Sequence, residues 1–333
     1  MDKIDFVITY VDGTDSKWLE KKKKYNNPLD GNRVNNFRSW DNLKYWFRSV
    51  ERYAPWVNKI YLITDHQVPS WLNLDNKKIV TVFHEDYIDS SYLPLYNSNA
   101  IELKMHKIKG LSEQFVYFND DIFLTDYVNP SDFFINGLPR DNYAEKLFVS
   151  DDLSSFNHIM LNTISIINKH FDKKAAYKKN GNKYFNRLYL KDSIVTHSFK
   201  KYKKFINFNN PHICLSFLKS SFNDAWKLEP DILENTCKSR FRDNYNVSIY
   251  LIRYYQLVKG LFIPRSCKFG KYFSLKDYDR VIDAFNNKKY KCICMNDDID
   301  SNFEEIKNKI NTTLENIFPS KSEFEKWERK VLY

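Results

Sequence analysis

The sequence predicts an α/β protein built on a largely parallel sheet, and three observations support this fold class. β-rich and amphipathic helical runs follow one another over the first 120 residues in the order strand, helix, strand, strand, helix, strand. The first and last of these strands end in polar turns rich in carboxylates, where parallel sheets bind ligands. With only 7 glycines, the chain has neither a G-x-G-x-x-G nor a P-loop motif, which argues against a dinucleotide-binding fold.

The strands are predicted from short runs of β-branched and aromatic residues. They are residues 4–11, 59–64, 78–83 and the run before Asn119. Asp15 or Ser16 can cap a short helix after the first strand. Apolar residues recur at helical spacing over 41–54, with Pro55 as a stop, and 97–110 is predicted as a capped helix ending at Gly110.

The character of the chain changes near residue 150. We predict a Rossmann-like core over 1–150 and a mainly helical portion over 151–333, separated by a change of composition rather than by a linker. The later helices are predicted at 152–171, at 246–260 with Gly260 as the end, and at 303–318 as an amphipathic C-terminal helix. Residues 172–211 show no clear period and are predicted to be loops or a flexible excursion.

Composition and charge exclude some classes of protein. A hydrophobic content of 43% and an aromatic content of 17% are unlike those of a disordered chain. The net charge of +10 permits an anionic partner, but no zinc-finger spacing or RNP-type motif accompanies it, so we expect no nucleic-acid partner. We see no secretory signal and no apolar run long enough to span a bilayer, and therefore expect a cytoplasmic protein.

The cysteines give no metal or disulfide pattern. Five are scattered through the later half, and Cys292 and Cys294 alternate along an apparent strand without a second pair. We expect buried free thiols in a reducing compartment.

The run "FVYFNDDIFL" (115–124) places two adjacent carboxylates, Asp120 and Asp121, at the end of an apolar strand. Like charges repel there, and loss of water is costly. One interpretation is a strand-to-turn junction, because Asn and Asp favour turns. The other is a divalent cation site, because a hard cation neutralises paired carboxylates.

Three stretches resemble the first two conserved regions of the Stealth family. They are "IDFVITYVDGTD" (4–15), "FRSWDNLKYWFRSVERYAPWVNKIYLITDHQVPSWLN" (37–73) and "LPLYNSNAIELKMHKIKGLSEQFVYFNDDIFL" (93–124). Weaker matches to that family's later regions follow in the same order at 209–217, 241–257 and 292–298. The resemblance covers nearly the whole chain.

The resemblance implies a Rossmann-like nucleotide-sugar core, similar to GT-A glycosyltransferases, with a further α-helical portion. It implies a sugar-1-phosphate transferase of bacterial capsule or cell-wall polysaccharide synthesis. The donor would be a UDP-sugar, the acceptor a polysaccharide hydroxyl, and the products a phosphodiester and UMP. The cofactor would be Mg²⁺ or Mn²⁺. Apart from the resemblance, the compact length, the low-glycine, Lys/Asn/Tyr-rich composition and the lack of a signal lead us to expect a bacterial cytoplasmic enzyme in peripheral contact with the inner face of the plasma membrane.

The chemistry of phosphoryl transfer requires cationic stabilisation and a base. Asp120 and Asp121 fit the metal role; one would bind the cation directly while the other orients a bound water or a substrate hydroxyl, and Asp121 is also placed in the catalytic set. His212, in the motif "NNPHIC", is the candidate general base. Arg242 is the candidate phosphate clamp, with Arg240 as its rival.

Further residues are expected at the site, Asp5 among them by the resemblance. Asp5 is expected in the catalytic set, although a strand-start surface carboxylate is its plain alternative. Asn97 and Asn99 precede or begin a helix that they could simply cap. The expected substrate-binding residues are Asp12, Asp15, Arg38, Asp41, Asn97, Asn99 and Asn119. The second "NDD", at 296–298, is expected to have a structural or acceptor-side role.

Two other functions stay open on the sequence. One is a metal-dependent glycosyltransferase that releases UDP instead of UMP. The other is a basic lipid- or nucleic-acid-binding protein without turnover.

Overall fold

The computed structural model describes residues 2–25, 37–149, 154–299 and 301–327. Its strands are β1 Ile4–Thr9, β2 Ile60–Thr64, β3 Ile79–Phe83, β4 Gln114–Phe118, β5 Ile122–Leu124, β6 Phe134–Ile135, β7 Leu138–Asp141, β8 Leu215–Leu218, β9 Ile263–Pro264, β10 Gly270–Ser274 and β11 Cys292–Asn296. Its helices are α1 Ser16–Lys23, α2 Leu43–Tyr53, α3 Ser98–Leu103, α4 Pro130–Phe133, α5 Ser155–His170, α6 Lys173–Tyr184, α7 Lys191–Ser198, α8 Lys219–Trp226, α9 Pro230–Lys238, α10 Tyr250–Lys259, α11 Tyr278–Asn286 and α12 Phe303–Ile317.

The largest described sheet has the strand order β3-β2-β1-β4-β8. The strands β1 to β4 are parallel, and β8 is antiparallel to β4. The predicted α/β fold with a mostly parallel sheet is therefore confirmed. Because β8 runs in the opposite direction, the residues just before it lie beside the carboxyl end of β4.

The central sheet is buried on both faces, as parallel sheets usually are. Phe6 and Ile8 point to the face covered by α2, and Val7 points to the opposite face. That opposite face packs against α8 and α10 through Phe222 and Ile252. Burial of both faces thus explains why four of the six residues of β1 are apolar.

The predicted boundary near residue 150 does not divide the sheets. Strand β8 comes from the later half and joins the central sheet beside β4. Strand β11, also from the later half, pairs antiparallel with β5 and parallel with β10. Within the described residues, the later half therefore contributes the strands β8 to β11 as well as the helices α5 to α12.

Two predictions of local structure were wrong. The stretch 172–211 contains α6 and α7 rather than loops alone. Five of the twelve residues of α6 are lysines, and its apolar residues show little helical periodicity. The helix predicted over 97–110 ends at Leu103, and a single 3₁₀ turn and a left-handed Gly110 follow. The predicted end of the helix before Pro55 is confirmed, since α2 ends at Tyr53. The predicted end of the later helix at Gly260 is also confirmed, and this glycine has a left-handed backbone.

The C-terminal helix α12 is confirmed, and its apolar face is used within the protein. Ile306, Ile310 and Leu314 are buried in the core cluster that includes α2. Arg48 of α2 ties the C-terminal residues to the same core: its guanidinium donates to both carboxylate oxygens of Glu325, at 2.7 and 2.9 Å. Among the described helices, none is long and apolar enough to cross a membrane.

Candidate active site

Two adjoining cavities open at the carboxyl edge of the central sheet. The first, of about 510 Å³, lies beyond β1 and β2 and reaches Asp120. The second, of about 540 Å³, lies between α3 and the segment before β8 and contains His212. Ser98, Asn119 and Arg242 line both cavities. An elongated ligand lying across the two cavities would therefore pass Arg242 at the middle.

The corner between β4 and β5 places the two neighbouring aspartates at this junction. Burial, reinforced by the adjacent Asp121 carboxylate, raises the pKa of Asp120 to about 7. The thiol of Cys294 donates to Oδ2 of Asp121 across 3.2 Å, and Nε2 of His212 lies 3.7 Å from the same oxygen. Strand β11 fixes this corner, since the backbone N–H of Met295 donates to the carbonyl of Asp121.

The residues of this corner fit a divalent cation. Oδ1 of Asp121 is buried and has no hydrogen-bond partner among the described residues, which is costly for a carboxylate oxygen. Donor atoms of Asp121, His212 and Cys294 lie within 4.8 Å of one another, a grouping that could hold a metal ion. The carboxylates suit Mg²⁺ or Mn²⁺, whereas the imidazole and thiol suit softer metals.

A buried arginine holds the segment that carries His212. Arg253 donates to the carbonyl of Asn209 and to Oδ1 of Asn210, each at 2.9 Å. It also forms a buried ion pair with Asp141, with Nε 2.7 Å from Oδ2. His212 itself has a left-handed backbone, with φ of 45°. These contacts present its partly exposed imidazole to the second cavity.

The structure distinguishes the two candidate arginines. Arg242 is exposed at the boundary of the cavities, and its Nη2 donates to Oγ of Ser98 across 2.8 Å. Arg240 turns away: its Nε donates to the carbonyl of Pro94 at 2.9 Å, and its guanidinium lies 4.0 Å from the ring centre of Tyr25.

Asn97 holds the loop of Arg242 instead of lining a cavity. Its Nδ2 donates to Oδ1 of Asn246 at 2.8 Å and to the carbonyl of Ser239 at 3.0 Å, while its Oδ1 accepts from the N–H of Asn99. It therefore caps α3 and fixes the loop at the same time. Asn99 and Asn119, by contrast, line the second cavity.

A buried acid that the sequence analysis did not select also lines the second cavity. Glu102 accepts a hydrogen bond from the hydroxyl of Tyr117 at 3.1 Å, and burial raises its pKa to about 7. Glu102 follows Ser98 by four residues, so the two side chains lie on the same face of α3. This helical spacing from the polar start of α3 is the signal that could have identified it.

The first cavity has an aromatic wall that the sequence analysis also missed. Trp18 packs against Phe37 and Tyr96, with ring centres 5.2 and 5.4 Å apart. Asp65 and His84 lie in the same cavity, and burial lowers the pKa of His84 to about 4, so that its imidazole is neutral near pH 7. Such a wall can stack on a flat ring while polar groups bind its edges.

Asp12 and Asp15 shape the turn after β1 and lie near the first cavity. Asp15 caps α1 by accepting from the N–H of Lys17, and Asp12 accepts from the hydroxyl and N–H of Thr14. Gly13 between them is required, because an added Cβ would lie 1.8 Å from the carbonyl oxygen of Phe37. Both carboxylates therefore already have a local structural role.

The structure does not bring Asp5 to the cavities. It lies at the opposite end of β1, paired in register with Phe115, whereas the cavities lie beyond Thr9. Its oxygens accept from Nδ2 of Asn58 at 2.6 Å and from the N–H of Ser112 at 2.8 Å. The alternative of a plain surface carboxylate is also wrong, because Asp5 is fully buried.

Arg38 and Asp41 are likewise engaged away from the cavity linings. Arg38 donates from Nε and Nη2 to the carboxylate of Asp297, at 3.0 and 2.6 Å. Asp41 forms an ion pair with Lys307 of α12. The second "NDD" therefore serves partly as a structural anchor, while its Asn296 lines the second cavity.

Family models match most of the chain. Stealth protein conserved region 1 matches residues 2–29, conserved region 2 matches residues 36–141, and conserved region 4 matches residues 283–331. These segments contain β1, the "NDD" corner after β4, and β11.

Relatives are similar over almost their full length. The chain is 43% identical to the capsular polysaccharide phosphotransferase WcwK of Streptococcus pneumoniae, covering 98% of this chain and 99% of the relative. It is 38% identical to the exopolysaccharide phosphotransferase cps2G of Lactiplantibacillus plantarum, covering 97% and 96%. It is 37% identical to the receptor polysaccharide phosphotransferase WefC of Streptococcus oralis, covering 98% and 100%.

Two solved structures match most of this chain at low sequence identity. A galactosyltransferase LgtC in complex with donor and acceptor sugar analogues matches with a TM-score of 0.41 at 11% identity, covering 96% of this chain and 98% of that one. The glycosyltransferase GlyE of Streptococcus pneumoniae matches with a TM-score of 0.41 at 10% identity, covering 96% and 64%. The family models and the full-length relatives establish the relationship: the chain belongs to the Stealth protein family.

Proposed function

We propose that the protein transfers a sugar-1-phosphate from a UDP-sugar to a hydroxyl of a growing capsular or extracellular polysaccharide. The observation that carries this proposal is the position of Arg242, which lies where the two cavities meet. A diphosphate at this point would have its nucleotide in one cavity and its sugar in the other. The relatives named as polysaccharide phosphotransferases support the same reaction class.

The first cavity suits the nucleotide. Its aromatic residues Trp18, Phe37 and Tyr96 offer surfaces for stacking against a base. Arg242 offers paired N–H donors and a permanent charge to the phosphates. The hydroxyl of Ser98 orients this guanidinium in advance of binding.

In the proposed step, the acceptor hydroxyl oxygen attacks the β-phosphorus of the donor. A new oxygen–phosphorus bond forms, and the bond between the β-phosphorus and the bridging oxygen breaks, so that UMP leaves with that oxygen. His212 accepts the hydroxyl proton from the side of the second cavity. The Asp121 carboxylate lies 3.7 Å from Nε2 of His212 and can orient the imidazole ring.

Glu102 extends the polar wall on the sugar side. A carboxyl group that keeps its proton up to about pH 7 can donate a hydrogen bond to a sugar oxygen as well as accept one. Its hydrogen bond with Tyr117 fixes its orientation. We propose that Glu102 positions the sugar in the second cavity.

Asp120 and Asp121 are the proposed ligands of Mg²⁺ or Mn²⁺. A bound cation would draw negative charge from the phosphate groups and from the departing UMP. The two carboxylates are brought to the junction by β4 and β5, and Oδ1 of Asp121 is without a partner among the described residues.

The two halves of the chain contribute different groups to the proposed site. The portion 1–150 supplies the aspartates and the aromatic wall, and the portion 151–333 supplies His212 and Arg242. We propose this division of roles in place of two separate domains. The proposed location is the cytoplasm.

The test is to incubate the full chain with a panel of UDP-sugars and an oligosaccharide acceptor, with Mg²⁺ or with EDTA, and to identify the nucleotide released. UMP that appears only with the cation supports the proposal. UDP would instead indicate glycosyl transfer. Equal turnover with EDTA and with Mg²⁺ would contradict the proposed requirement for a divalent cation.

A further inference from the structure

The positive charge of the protein is concentrated in one segment. Residues 171–204 contain eleven Lys and Arg residues against two Asp, a net charge of +9, while the whole chain has +10. The remaining 299 residues are therefore nearly neutral. This segment comprises α6, α7 and the turns around α7.

The same segment exposes large apolar side chains. Ile194 is 74% exposed and Leu190 is 53% exposed, although both would normally be buried. The apolar members within a few residues of α7 are Leu188, Leu190, Ile194, Val195 and Tyr202. Exposed cations lie among them at Arg187, Lys191, Lys200, Lys201, Lys203 and Lys204. We call these residues together the basic-apolar surface.

Firm anchoring shows that this exposure is not a result of loose packing. Tyr189 and Thr196 are buried between the exposed residues, and Oγ1 of Thr196 accepts from the N–H of Glu145 at 3.0 Å. Lys173 is buried, pairs with Glu145, and donates to the carbonyl of Phe199 at 2.8 Å. The alternation of anchored and exposed side chains presents Leu190 and Ile194 outward on a fixed backbone.

We propose that the basic-apolar surface docks the protein on an anionic lipid bilayer. Lysines attract the anionic headgroups, and aliphatic side chains at the centre of the charge enter the acyl boundary, a combination used by peripheral membrane proteins. A nucleic acid would be attracted by the charge but would not bury Leu190 and Ile194. The apolar face of α12 is covered by the core and is not available for this role. The proposal does not depend on the transfer reaction.

The test measures co-sedimentation of the full chain with vesicles of phosphatidylcholine alone or with 30% phosphatidylglycerol. Wild type is expected to pellet with the anionic vesicles and to stay in solution with the neutral ones. Lys200→Glu/Lys201→Glu and Ile194→Ser/Val195→Ser are each expected to weaken partition about tenfold or more. Circular dichroism and thermal unfolding establish that the variants are folded.

Matched controls are taken from exposed positions elsewhere. Lys289→Glu/Lys321→Glu makes the same change in net charge, and Leu74→Ser/Tyr127→Ser removes apolar groups that are 52% and 59% exposed. Both controls are expected to bind as wild type does. The proposal is overturned if wild type does not prefer anionic vesicles, if the controls lose as much binding, or if the Ile194→Ser/Val195→Ser variant retains full binding.

Discussion

Nε2 of His212 lies 3.7 Å from Oδ2 of Asp121, although the two residues belong to opposite halves of the chain. The antiparallel entry of β8 beside β4 produces this contact, because it carries the residues before Leu215 to the carboxyl edge of the sheet. A base and a candidate metal ligand thereby meet where the two cavities join. The proposed chemistry depends on this arrangement.

Replacing His212 with Gln is expected to reduce kcat by 10²–10⁴-fold, in the range lost with a general base. KM for the donor should change less than kcat, because the imidazole is proposed to act on the acceptor's proton, whereas Arg242 and the aromatic wall are proposed to bind the donor's phosphates and base. Steady-state kinetics with a UDP-sugar and an acceptor measures both constants. His170→Gln, which alters a surface contact with Glu229, is the matched control and should retain activity. An equal loss of kcat in both variants would contradict the assignment of His212 as the general base.

Replacing Arg242 with Lys is expected to reduce kcat/KM for the donor by about 10²-fold or more, because a single ammonium cannot replace paired guanidinium donors. Arg240→Lys is the control two residues away, since Arg240 contacts backbone and a ring rather than the cavities. Its effect on kcat/KM should stay within a few fold. If Arg240→Lys has the larger effect, the assignment of the phosphate clamp is wrong.

Glu102 makes stability depend on pH. Its folded-state pKa of about 7 exceeds the ordinary value of 4.5, so between these pH values the folded state binds more protons than the unfolded state. The free energy of unfolding therefore falls as pH rises from about 4.5 to about 7. Glu102→Gln removes this dependence and should be more stable than wild type at pH 8, by up to about 3 kcal/mol.

Urea unfolding of wild type and Glu102→Gln at pH 5 and pH 8 measures this difference. Glu20→Gln, at an exposed position on α1, is the control and should follow wild type at both pH values. A Glu102→Gln variant with the same pH dependence as wild type would show that Glu102 titrates normally.

Breaking the buried ion pair between Asp141 and Arg253 is expected to destabilise the protein strongly. Asp141→Ala leaves a buried guanidinium without its anion and should lower the free energy of unfolding by about 3–5 kcal/mol. Activity should fall too, because Arg253 also holds the segment before His212. Asp224→Ala, which breaks the exposed pair with Lys227, should cost about 1 kcal/mol or less. Equal losses of stability would contradict the structural role of Arg253.

The sequence indicated the types of group in the site better than their arrangement. The carboxylates after β4 were recognisable because polar residues interrupt an apolar strand. Glu102 was not recognisable as a site residue, because acidic residues in helices usually face water. Its burial arises from contacts with Tyr117 and the core. Asp5 was misplaced because its position along β1 puts it at the far edge of the sheet, which a motif cannot show.

For the fold, too, local features were predictable from the sequence and long-range contacts were not. The parallel strands β1 to β4 were predictable from local apolar runs, whereas the antiparallel addition of β8 depends on a pairing between distant parts of the chain. The helix α6 was missed because its buried stripe mixes the polar Lys173 and Asn180 with the apolar Ala176, Tyr177 and Tyr184, so that no purely apolar period marks it.

The most direct test of the central claim follows the β-phosphorus. The full chain is incubated with an acceptor and a UDP-sugar labelled with ³²P at the β-phosphate, and the products are separated. The account predicts that the label enters the polysaccharide as a phosphodiester while unlabelled UMP is released. Label recovered in free UDP, with none in the polysaccharide, would contradict it.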